Sequence, residues 1–555
     1  MRLKDLIRVA PRYSRSVSLD RDSESAEALD GYILTTTANN TLGRILDALV
    51  DPAGQRAWTL TGPYGSGKSA FALYLAHLLG ESCPEAHHVA RQILKEQRHE
   101  LYREFFDGRS RHHFRNSGYV VVHLGGTQEP LLPRLLDAFC RASAAVVRGT
   151  SAKVPLRNLQ QLRDASIRGE QVSTTHAVEL MTSISRRLHA DHKARGVLVV
   201  IDELGKFLEF AAASPDAGDI FVLQLLAEAT APSAGNHLAL VTVLHQALER
   251  YSAGVPAAVR EEWVKIQGRF EDIAFQESAD GLLELIGAAV RQSSHPSVKK
   301  MRAAARERAD RLCTLGLKPR SVSKQDFIRT LEDCAPLHPL TVLVLTRLCR
   351  KFGQNQRSLF SFLVSREPHG FADFLETELS ENSLVAYGLT DLFDYVNEAL
   401  GETISLGEAG SRWAAAQNAL DRVVDCTADE ARLLKTVGLL TAVGPYGELR
   451  PSVQILKAAL DVKPTATFSP LQSLVKRSIL IDRKYNNTIG LWEGSDIDLD
   501  ERLKEAAQQL PDAAAFAVKV SSAWTPQPII AKRHSHIKGT LRYFAVAFAD
   551  VYKRR

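Results

Sequence analysis

Eight residues, "GPYGSGKS" at positions 62–69, constrain this chain more than any other stretch. They match GxxxxGK[ST], follow the apolar run "AWTLT" and open the apolar helix "SAFALYLAHLLG". A strand that turns through glycines into a helix gathers successive backbone N–H groups around one concave spot, and that spot grips phosphate oxygens. Gly62, Gly65 and Gly67 give the backbone its freedom to curl. Pro63, Tyr64 and Ser66 complete the loop, and Ala70 continues the helix behind it. Lys68 offers a point charge to the β- and γ-phosphates of ATP, and the Ser69 hydroxyl is placed to ligate the Mg²⁺ that bridges them.

Three further apolar runs, "GYVVVHLGG", "GVLVVIDE" and "HLALVTVLHQ", have the continuous character of buried parallel strands. Amphipathic helices alternate with them, which predicts a doubly wound α/β core. The second run ends in Asp202 and Glu203. Asp202 would hold the water shell of Mg²⁺, and Glu203 would polarise an attacking water as general base. Two acids side by side imply hydrolysis rather than binding alone. The third run ends in His245 and Gln246, either of which can hydrogen-bond that water or the γ-phosphate.

A chain of 555 residues is too long for one core. Residues 1–50 read as a lead-in ending in a helix, 51–277 as the α/β core and 278–420 as an all-helical lid. Residues 421–505 read as three short helices closed by a hairpin across "YNNT", the outline of a winged-helix domain. Residues 506–555 read as the start of a C-terminal region whose last stretch, "GTLRYFAVAFADVYKRR", alternates like an unfinished strand. Between Lys299 and Arg311 six basic and two acidic residues mark a solvated helix face. The six cysteines are scattered without a CxxC pair, which fits a reducing compartment and argues against a disulfide framework or a zinc site. The pairs His87–His88 and His112–His113 lack Cys or acidic partners at ligand spacing and read as surface histidines. The start has no apolar leader, and no run of 18 apolar residues occurs, so a cytoplasmic protein without a membrane span is expected. A net charge of +5 permits contact with nucleic acid without requiring it.

Taken together, these residues resemble the additional-strand P-loop ATPases, in particular AAA+ proteins of the origin-recognition and loader type and their STAND relatives. That resemblance implies roles for residues beyond the loop. In "GRFEDIAF", Arg269 matches the arginine finger that reaches a neighbour's nucleotide, which implies a homo-oligomer. In "LHPLTVLVLTRLCRKFGQNQRSLFSFL", Arg357, or alternatively Arg347, matches the second sensor of the lid. More narrowly, "RSVSLDRD", "GPYGSGKSAF", "GRFEDIAF", "FGQNQRSLFSFL" and "LWEGSDID" together resemble the large bacterial ATPases of phage-defence gene clusters of the BREX type. Such relatives run longer than this chain. The implied partners are DNA or a co-encoded defence protein. Two readings stand side by side: an ATP-driven switch, and an ATP-binding scaffold whose winged helix recognises DNA while hydrolysis is incidental.

Overall fold

The computed structural model describes residues 1–10, 17–107, 118–214, 220–231, 235–251, 257–320, 322–352, 359–364, 366–379, 385–405, 410–423, 425–444 and 449–492, together with pieces of 506–548. Two compact units result, Met1–Leu491 and Trp492–Arg555.

In the first unit the strands are β1 (Ile7–Val9), β2 (Ala57–Thr61), β3 (Tyr119–Leu124), β4 (Gly196–Ile201), β5 (Leu238–Leu244), β6 (Glu271–Ala274), β7 (Val290–Gln292), β8 (Leu480–Arg483) and β9 (Thr488–Leu491). Five of them form one parallel sheet in the order β3-β4-β5-β2-β6. This is the α/β fold expected, with β5 inserted between the loop strand β2 and the acid-bearing strand β4. Each strand end therefore arrives at the same edge, and the loop after β2 stands next to the ends of β5 and β6.

Period-2 alternation places the two faces of the sheet in separate cores. Val197, Val199, Ile201, Leu238, Leu240 and Leu244 point to one side, packed by the helices Leu131–Ala144 and Thr174–Ala190. Leu198, Val200, Ala239, Val241, Trp58 and Leu60 point to the other, packed by Lys68–Leu79 and Thr36–Val50. Every residue of β4 and β5 is buried, which is why these strands read as unbroken apolar runs.

From Ala279 onward a third core is built from helices, among them Pro296–Thr314, Pro339–Phe352, Leu389–Ser405 and Ala428–Val443. Residues 278–420 are not helical throughout, because β7 pairs antiparallel with β1. Leu3, Leu6, Ile7 and Ala10 thereby join the helical core, whereas Leu19, Leu29 and Leu34 belong to the sheet's. Between these two cores Glu277 is buried, accepting a 2.6 Å hydrogen bond from Thr35 Oγ1, and burial pushes its carboxyl pKa up.

The basic helix face at 299–311 is only partly solvated. Arg302 donates to Glu332 and Asp333, and Arg308 makes a two-pronged contact with Asp461 at 2.8 and 2.7 Å. These guanidiniums cement neighbouring segments, a job that charge composition alone does not reveal. The helix Lys153–Ile167 has only Pro155, Leu156 and Leu159 buried, too sparse an apolar stripe to stand out in the sequence.

Three helices, Ala428–Val443, Val453–Ala459 and Ser469–Lys476, precede the antiparallel pair β8–β9. Asn487, in the connecting turn, has φ 52°, a conformation asparagine tolerates well. In the second unit β10 (Ile529–Ile530) pairs with β11 (Tyr543–Phe544). Among the described residues no helix is long and apolar enough to cross a membrane, and no group of three His, Cys, Asp or Glu could hold a metal. His112 and His113 lie outside the described residues.

Candidate nucleotide site

Gly65 and Gly67 have φ of 73° and 88°, left-handed values that turn the backbone N–H groups into the loop. Gly62 is needed for space as well: a Cβ there would stand 2.3 Å from Phe275 O at the end of β6. The helix Lys68–Leu79 begins directly after this turn, so its N-terminal amides and positive dipole end face the same hollow.

Lys68 is buried and folds back over the loop. Its Nζ donates to Gly62 O and Pro63 O, both at 2.7 Å, and to Ser66 Oγ at 3.3 Å. Burial lowers its pKa to about 8, against a smaller upward pull from Asp202. Across the sheet, Asp202 is buried at the end of β4 and accepts from Ser69 Oγ at 3.0 Å. Its pKa is raised by burial, partly offset by that hydroxyl and by the Glu203 N–H, which donates to it at 2.9 Å. A hydroxyl and a carboxylate this close are hard oxygen donors of the kind Mg²⁺ takes.

Glu203 has φ 49° and starts the helix Leu204–Ala213. Gly126 makes room for it, since a Cβ there would lie 2.3 Å from Glu203 O. The Glu203 carboxylate is held by Lys206 Nζ at 2.5 Å. Sequence reasoning missed Lys206, although its spacing one turn beyond the acid was a usable signal.

Tyr64, exposed on the loop, stacks on His245 with ring centroids 4.1 Å apart, and its hydroxyl is 2.6 Å from His245 Nε2. The stack ties the loop to the end of β5. Burial, then the Lys68 charge, lowers the His245 pKa. Gln246 follows in the turn before the helix Leu248–Tyr251. The structure thus brings together residues 62–69, Asp202, Glu203, His245 and Gln246 at one sheet edge.

Arg269 stands elsewhere. It precedes β6, at the other end of the strands, where its carbonyl accepts from Gln55 and its guanidinium pairs with Glu228 at 3.0 Å. It therefore stands at the opposite end of the strands from its own loop. Arg347 sits within the helix Pro339–Phe352, and Arg357 lies outside the described residues.

No protein-family model matches the chain, and no curated protein matches it. Among solved structures, the chain is similar to the ORC2 protein of Aeropyrum pernix in its ADPNP-ADP complexes. The identity is 11% and the TM-score 0.28, over 85% of this chain and 92% of that one.

Proposed function

We propose that the chain is an ATP-hydrolysing molecular switch of the AAA+ and STAND-like kind, the ATPase component of a bacterial anti-phage defence system acting on DNA or a partner protein. The observation that carries the reading is the 3.0 Å bond between Ser69 and Asp202, which joins the glycine loop to the acidic end of β4 with Glu203 next in line.

In this reading the triphosphate displaces the loop carbonyls from Lys68, whose ammonium then serves the β- and γ-phosphates. Ser69 and Asp202 would hold Mg²⁺, which would supply charge neutralisation to the phosphates. Glu203 leaves Lys206 to take a proton from the attacking water, and His245, steadied by Tyr64, positions that water or the γ-phosphate. Lys68 and Asp202 are both pushed toward their neutral forms before ligand arrives, so binding a polyanion and a dication relieves both. Arg269 completes the site of a second copy, which makes assembly part of the switch. Closure of the helical part on the core and its reopening after hydrolysis are the output.

The scaffold reading asks the helices and hairpin of 421–505 to recognise DNA as a winged helix. Two of its basic residues, Lys476 and Arg477, end the third helix, and Arg477 is drawn to Glu430 at 3.4 Å. Arg308 ties the same region to the preceding helices through Asp461. These contacts favour a regulatory clamp over base reading, which wants several side chains free to reach bases.

The test is Glu203→Gln. Retained ATP binding with loss of phosphate release supports the assignment; turnover at the native rate removes Glu203 from the reaction.

A further inference from the structure

The opposite edge of the sheet carries, besides Arg269 before β6, a charge pattern that the nucleotide reading leaves unused. The segment 186–195, "RRLHADHKAR", ends the helix Thr174–Ala190 and leads into β4. Because β4, β5 and β2 are neighbours, the residues just before them, Arg195, His237 and Arg56, stand in a row. At the usual strand spacing that row is about 10 Å long.

The row is built, not frayed. Buried Asn236 holds two guanidiniums: its Oδ1 accepts from Arg186 Nη2 at 2.9 Å and its carbonyl from Arg56 Nη1 at 3.3 Å. His189 stacks on His237 with centroids 3.5 Å apart and planes 12° from parallel. His189 Nδ1 donates to Arg195 O at 3.0 Å, which fixes the tautomer of the neutral ring. Among the described residues neither Arg56 nor Arg186 has a carboxylate partner. Burial, and then His189, Arg56, Arg195 and Arg186 in turn, lower the His237 pKa to about 4.

A helix C-terminus attracts cations, and that accounts for Arg187 and His189 in the last turn. It does not account for Arg56, Arg195 and His237, which sit on strand starts. Like charges gathered this way repel one another, and an anion would relieve them.

We propose that this edge is a docking surface for the sugar–phosphate backbone of duplex DNA, with Arg56 and Arg186 on neighbouring phosphates and Arg195 and His189 beside them. Guanidinium forks match phosphate oxygens in pairs. A duplex carries one charge per roughly 1.7 Å of axis, so several phosphates meet a 10 Å row as a matter of course, whereas a folded protein must assemble that density of carboxylates. The surface deepens the partner named under the proposed function and rests on that reading only for the choice of DNA. It works without the nucleotide loop.

The experiment is fluorescence anisotropy of a labelled duplex of about 30 base pairs, without nucleotide, over roughly 50 to 200 mM salt. Arg186→Glu and the double change Arg186→Ala with Arg195→Ala are expected to bind about tenfold or more weakly, the salt slope falling by about one for each phosphate no longer neutralised. Arg186→Gln, which keeps an amide for Asn236 but no charge, is expected to weaken binding with unchanged thermal melting. Arg187→Ala, whose side chain is held by Ser151 O at 3.2 Å, should change affinity by less than about twofold. ATP turnover should be native in all of them. Native affinity and slope in Arg186→Gln, or preference of the wild-type protein for poly-glutamate over the duplex, would overturn the proposal. Failure of the nucleotide reading would show instead in Glu203→Gln, where duplex binding is not involved.

Discussion

The two edges of the parallel sheet are both suited to anions, and they achieve it by opposite means. At the C-terminal edge one buried lysine rests on its own loop's carbonyls, and the acids beside it are bonded to a hydroxyl and a neighbouring lysine. At the N-terminal edge several arginines and imidazoles crowd together around one buried asparagine. The first edge satisfies each group internally and must break bonds to accept a ligand. The second leaves Arg56 and Arg186 without a carboxylate partner among the described residues. Preorganised, desolvated groups give strong, specific effects one residue at a time, while surface charges act collectively and are screened by salt.

Substitutions can break this contrast. The largest effect is expected for Glu203→Gln, a fall of about 10²–10⁴ in turnover as read by phosphate release, the usual span for a general base. An equally large loss from any one arginine at the far edge would erase the distinction. Next comes Lys68→Ala, expected to weaken ATP binding by about 10- to 100-fold in calorimetry, as for loss of a charge-assisted bond. That affinity should move little with salt, unlike duplex binding.

A pH series sharpens the point. Free Lys68, with its pKa near 8, is charged below that pH and loses its proton above it. Phosphate favours the charged form, so ATP affinity should be flat below about pH 8 and fall by up to about tenfold per pH unit above it, until the pKa of the bound state is reached. Calorimetry in buffers of different ionisation enthalpy should show proton uptake in that window; none would mean that Lys68 stays charged when free. The smallest effect is expected for Lys206→Ala. Releasing Glu203 from an exposed ion pair should raise basal turnover by about twofold to fivefold. A loss of more than tenfold would instead mean that Lys206 itself serves the nucleotide.

Much of the C-terminal edge was legible because its chemistry is local. "GPYGSGKS" carries the turn, the lysine and the hydroxyl within eight residues, and "VVIDE" carries strand and acids together. The turn between β8 and β9 was equally plain from "YNNT". What escaped depends on distant pairing. Strands β1 and β7 have three residues each, too few for a periodic signal, and each finds its partner about half the chain away. Arg56, Arg186 and His237 are unremarkable singly and become a cluster only once β5 is inserted between β2 and β4. Arg302 and Arg308 look like ordinary helix decoration until Asp333 and Asp461 fold against them.

The split allegiance of the N-terminal residues has a mechanical consequence. Ala10 belongs to the helical core and Leu19 to the sheet's, while Phe275 belongs to the sheet's and Leu283 to the helical one. The chain therefore crosses between the two cores at two places, and the helical core takes residues from both sides of the sheet's stretch of sequence. A cut at either crossing would leave the cores joined by the other, and the buried bond from Thr35 to Glu277 lies at the second of them.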